Sequence, residues 1–118
     1  MAIAHRGGER LDDRGPSPGS LSLVIVRQPG EVTCHARGCM DGSHAAMLER
    51  RLGELAREAA GRLVIDLRDV EYLGASGVAA LLDARGIGEE RGRSVVIRNH
   101  PEHAADALAE AGLLDRAI

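Results

Sequence analysis

At 118 residues the chain is sized for one domain, long enough to bury a core without disulfides. Hydrophobic residues make up 44% of it and aromatic ones only 1%, with Tyr72 the one aromatic side chain, so a surface that stacks bases is excluded. The net charge of −3, with every basic residue an arginine, adds no general pull toward a phosphate backbone, and no nucleic-acid partner is expected.

Residues 1–20 are rich in Gly, Pro, Ser, Arg and Asp and read as a mobile tail, with the folded domain spanning 21–118. Those first residues lack the apolar centre of a secretory signal. No later stretch approaches the roughly 20 apolar residues of a membrane span. A cytoplasmic protein without membrane contact is expected, and Cys34 and Cys39 fit a reducing compartment.

From Leu21 the pattern becomes regular. Leu21, Leu23 and Ile25 alternate with Ser22 and Val24, Pro29-Gly30 punctuates, and Val32, Cys34 and Ala36 alternate again, which predicts an antiparallel hairpin. Asp41-Gly42-Ser43 opens a helix, with Asp41 or Ser43 as its cap. Leu48, Leu52, Leu55 and Ala59 fall on one face of that helix, and Gly61 ends it. Leu63-Val64-Ile65-Asp66-Leu67 reads as a strand covered on both faces. A second helix is expected from about Ser76 to Glu90, with Val78, Leu81, Leu82 and Ile87 inward, weakened by Gly86 and Gly88. Ser94–Arg98 reads as a further buried strand. Pro101 starts a third helix, after which Leu113-Leu114 leads into a short strand or coil. This order, β-β-α-β-α-β-α, predicts an α/β fold: a mixed four- to five-stranded sheet with helices packed mainly on one face.

Three segments, in this order and spacing, resemble the STAS domain of anti-sigma factor antagonists. Gly38-Cys39-Met40-Asp41 is similar to the family's signature after the second strand. Leu63–Val70 looks like its central strand, and Tyr72-Leu73-Gly74-Ala75-Ser76-Gly77 with the residues up to Leu82 looks like its loop and following helix. The resemblance implies a regulator of transcription that captures an anti-sigma factor, itself a serine kinase. That kinase phosphorylates a loop hydroxyl and is then released. The contact surface implied is Asp41, Gly74, Ala75, Ser76 and Gly77. No enzymatic activity and no cofactor are implied.

The loop departs from the family pattern. Matched by position, Gly74 stands where the family carries Asp, and Ala75 stands where it carries the phosphoacceptor. Alanine has no hydroxyl to phosphorylate. Ser76 is the remaining hydroxyl of the loop, and a helix-capping role, worth about 1 kcal/mol, is preferred to phosphorylation. Cys39 replaces a frequent Glu, whereas Asp41 is retained, either as a contact residue or as a cap. The other reading is a non-phosphorylated STAS adaptor in another complex, such as a lipid-transport or stress-signalling assembly.

Other constellations carry less. Cys34, His35, Cys39 and His44 lie close together but at no familiar zinc spacing, and Cys34 and His35 would point to opposite faces of a strand, so no metal is expected. His100 and His103 read as surface histidines. A Ser-His-Asp hydrolase built on Ser76 and Asp66 lacks the Gly-x-Ser-x-Gly elbow.

Overall fold

The computed structural model describes residues 8–13, 19–58 and 61–114. Among these residues five strands form one sheet in the order β1-β2-β3-β4-β5. They are β1 (Gly8–Asp13), β2 (Leu21–Gln28), β3 (Glu31–Met40), β4 (Arg62–Leu73) and β5 (Val95–Arg98). β1 to β3 pair antiparallel, whereas β3–β4 and β4–β5 are parallel. A 3-10 turn (Gly42–His44) leads into α1 (Ala45–Glu58), α2 (Ala75–Glu90) joins β4 to β5, and a second 3-10 turn (Glu102–Ala104) precedes α3 (Ala105–Glu110). The mixed sheet with its helices is the α/β architecture expected from the sequence.

Register explains which residues are buried. Ile25, Cys34 and Ile65 lie side by side, as do Val32, Leu63 and Val95. Their face joins Leu48, Leu52 and Leu55 of α1, Leu81 of α2 and Leu108 of α3 in one aliphatic core. Leu, Ile and Val supply its volume, as a chain almost without aromatic residues requires. The alternate residues Val24 and Val26 are half-buried on the other face, and His35 is exposed there. Cys34 and His35 thus point opposite ways. Burial in the core pushes the Cys34 thiol up to about 12.

β4 is longer than the apolar run predicts. It continues to Leu73 through two register shifts against β3, and Asp66 helps to set the first. Its buried carboxylate accepts the Arg68 backbone N–H at 2.9 Å and the Asn99 amide at 3.2 Å. Gly38 of β3 has φ +107°, and a Cβ there would collide with the Ser20 carbonyl oxygen, so only glycine fits. Gly61 lies against the Gly30 carbonyl. Ala59, expected on the α1 face, lies outside the described residues.

The expectation of a mobile tail over 1–20 fails for Gly8–Asp13, which pair with β2 from Gly8↔Val26 to Asp13↔Leu21. The backbone ladder with β2 is reinforced by ion pairs. Arg27 of β2 reaches Glu9 at 2.8 Å and Glu58 of α1 at 2.7 Å. Arg51 of α1, almost buried, reaches Glu9 at 2.7 Å and Glu54 at 2.9 Å. Two arginines therefore hold one carboxylate of β1, and Leu11 adds apolar contact with the core. Residues 1–7 and 14–18, also assigned to the tail, lie outside the described residues.

Candidate functional site

Met40 and Leu73 are partners at the carboxyl ends of the adjacent parallel strands β3 and β4. Each strand then gives way to a helical segment, so two helix N-termini with outward N–H groups lie side by side. The crossing is tight. Gly74 donates its backbone N–H to the Met40 carbonyl at 2.9 Å. A Cβ on Gly77 would sit 2.6 Å from that same oxygen and 2.8 Å from Met40 Cβ and Leu73 Cδ1. Gly77 therefore lets the first turn of α2 press against the end of β3. A Cβ on Gly42 would lie 3.7 Å from Ser76 Oγ, which puts the two helical entries in van der Waals reach of each other.

Asp41 has an extended backbone and caps the 3-10 turn. Its carboxylate accepts the Ser43 N–H at 3.1 Å and the Ser43 hydroxyl at 2.7 Å. Next to it, the buried His44 contacts the Gly19 carbonyl at 2.6 Å through Nε2 and ties the segment before β2 to the site.

Ser76 does not cap α2. The helix begins at Ala75 with extended Gly74 as its N-cap and no side-chain capping bond, so Ser76 lies within the first turn. A glycine cap carries no side chain for the sequence to announce, and the start is displaced by one residue. Of the five residues assigned to the surface, Gly74 and Gly77 are buried and shape the backbone, Asp41 and Ser76 are half-buried, and Ala75 is exposed.

Sequence reasoning missed Tyr72. Its side chain is 54% exposed, and a Cβ on Gly74 would lie 3.0 Å from Tyr72 Cε2 and 3.3 Å from its hydroxyl oxygen. The phenol lies over the entry to α2, in the space a side chain at 74 would take. Its signal was available, because the chain's one aromatic residue directly precedes the junction. Leu82, expected inward, is 42% exposed, because its neighbour Leu81 takes the core position. Tyr72 and Leu82 are the large hydrophobics exposed among the described residues, one just before α2 and the other within it. Ala75, Ala79 and Gly86 are exposed along the same helix, and residues 74–82 carry no charge.

The remaining candidates stay apart from this end of the sheet. His103 contacts the Val70 carbonyl at 3.1 Å. Asp66 faces His35 at 3.3 Å and is occupied by Arg68 and Asn99. No group of three potential metal ligands is found among the described residues, nor is any helix among them long and apolar enough to cross a membrane.

A five-stranded mixed sheet whose parallel ends open into paired helical segments is the architecture of a STAS domain. The family model described as Mlab, STAS domain, matches residues 23–116, and the chain belongs to this family. An anti-sigma factor antagonist from Mycobacterium paratuberculosis is similar in structure, with a TM-score of 0.68, 28% identity and 82% of each chain covered. The Bacillus cell fate determinant SpoIIAA in its phosphorylated form gives a TM-score of 0.64 at 13% identity, over 77% of this chain and 84% of that one. Murine Slc26a9, an anion transporter, shares the fold at a TM-score of 0.59 and 12% identity, over 89% of this chain and 18% of that one. No curated protein sequence matches the chain.

Proposed function

We propose that this STAS domain acts as an anti-sigma factor antagonist, regulating transcription in a bacterial cytoplasm by binding an anti-sigma factor of the serine-kinase type. The observation that carries this reading is the surface around α2. Exposed Tyr72 and Leu82 bracket an uncharged stretch that starts beside Asp41, Gly74, Ala75, Ser76 and Gly77. An exposed aromatic ring at the end of β4 and an exposed leucine on the helix that follows suit protein docking, and the likeness to the mycobacterial antagonist supports the same class of partner.

The docking is not governed by phosphate at the usual position, because Ala75 stands there. A phosphate on Ser76 would add a charge of about −2 to the uncharged stretch and weaken docking. The domain therefore binds its partner constitutively, or under a control other than phosphate on this loop. It performs no chemistry of its own.

Calorimetric titration with the anti-sigma kinases of the same cell tests the reading. Binding is expected for one of them. Tyr72→Ala should weaken it about tenfold or more, as loss of an aromatic anchor does, and Ser76→Asp should weaken it through added charge. Unchanged affinity in both variants places the contact elsewhere. Stoichiometric phosphate on Ser76 after incubation with kinase and ATP would overturn the constitutive reading. The second reading, a STAS adaptor in a transport or stress assembly, draws on the missing acceptor and on the occurrence of the fold in a transporter. Co-purification with transporter subunits and without an anti-sigma factor would favour it.

A further inference from the structure

β1 is the outermost strand of the sheet and precedes the segment matched by the family model, which begins at residue 23. One edge of β1 pairs with β2, and among the described residues no strand pairs with the other, which presents backbone donors and acceptors. Edge strands are commonly guarded by charged side chains, which repel a second copy where like charges meet, or by proline, a bulge or brevity. Here the exposed side chains alternate in sign around the centre of the strand. Arg10 and Asp12 flank Leu11 on the face away from the helices and pair with each other at 3.0 Å. Leu11 points to the other face and packs against the core.

We propose that two copies of this chain pair through β1, antiparallel, across a two-fold axis at Leu11. In that register Arg10 of each copy faces Asp12 of the other, which exchanges one ion pair within each strand for two across the axis. Leu11 meets its own counterpart on the helix-bearing face. Glu9 comes opposite position 13 of the second copy, and its carboxylate is already held by Arg27 and Arg51. The sheet then continues through both copies, five strands from each. The symmetry is the isologous kind usual for dimers. α2 packs toward β5, at the opposite edge, so the surface proposed for the anti-sigma factor stays free, and dimerisation does not depend on that reading.

Sedimentation velocity of the full chain over a concentration series tests the pairing. The expected result is a reversible monomer–dimer equilibrium. Arg10→Asp sets two carboxylates against each other in both cross-axis pairs, and Asp12→Arg sets two guanidiniums against each other. Each alone should weaken association about tenfold. The double variant R10D/D12R restores opposite signs and should recover it. Thermal melts of the single variants check that β1 stays docked, as its anchor through Glu9 is untouched. A monomer at all concentrations up to about 1 mM overturns the proposal. A dimer indifferent to the single variants overturns it as well, and so does a loss that the double variant does not recover.

Discussion

Glu9 and Arg51, 42 positions apart in sequence, meet at 2.7 Å, with Arg51 nearly buried and Glu9 about one-third exposed. The contact joins β1 to α1 over the edge of the sheet. Arg27 holds the Glu9 carboxyl below its ordinary 4.5, partial burial opposes that shift, and Arg51 adds to the lowering. A depressed carboxyl pKa contributes stability above its unfolded value, and that contribution disappears as pH falls through the folded one. The stabilisation by Glu9 should therefore be complete above pH 4.5 and fade below it. Its size should be under about 1 kcal/mol, because the group is partly solvated. Denaturant melts at pH 7 and pH 3.5 should differ less for Glu9→Gln than for the native chain, and an equal difference would remove Glu9 as the cause.

Gly77→Ala tests the crossing of α2 over β3. The added methyl meets the Met40 carbonyl oxygen at 2.6 Å, and backbone cannot step aside as a flexible side chain would. Overpacking of this kind costs up to about 3 kcal/mol, and the better helix propensity of alanine returns about 1. A net loss of about 2 kcal/mol is expected in urea unfolding. A variant as stable as the parent would mean that the two segments are not in contact.

Ser76 and Asp41 separate capping from surface roles. Because Gly74 is the N-cap of α2, Ser76→Ala should change stability by less than about 0.5 kcal/mol. Asp41→Ala removes two hydrogen bonds to Ser43 and should cost about 1 kcal/mol. The reverse order in thermal or chemical melts would restore Ser76 as the cap.

The two cysteines should differ sharply toward a thiol reagent. Cys34 is fully enclosed, and burial holds its thiol pKa up to about 12. Cys39, next to the site, is half-buried. At pH 8 the native protein should release one equivalent quickly, from Cys39, and a second only on unfolding. Equal native rates would contradict the facing of β3.

Much of this architecture was legible because its causes are local. The alternation of Leu21, Leu23 and Ile25, the run Leu63–Leu67, and the spacing of Leu48, Leu52 and Leu55 each follow from where one element turns its side chains. β1 was not legible. Its segment Gly-Glu-Arg-Leu-Asp-Asp offers one apolar residue, and what holds it is pairing with β2 together with two arginines 18 and 42 positions from Glu9. At the site, the junction and its glycines could be read from the sequence, but the helix start and the facing of Leu82 could not. Two adjacent leucines fit a helical pattern in either phase, and packing against the core selects Leu81. Tyr72 could be picked out as the one aromatic residue, but its facing could not, because the register shift between Val70 and Tyr72 breaks the alternation of β4.

That same phenol has an optical consequence. With no tryptophan and no phenylalanine in the chain, all side-chain absorbance and emission near 280–305 nm arises at about one location, the entry to α2. Folding leaves the ring more than half in water, so its spectrum should change little when the core forms. A ligand that covers the ring should change it far more. The protein carries an intrinsic chromophore that is nearly silent to its own unfolding and selective for events at one surface.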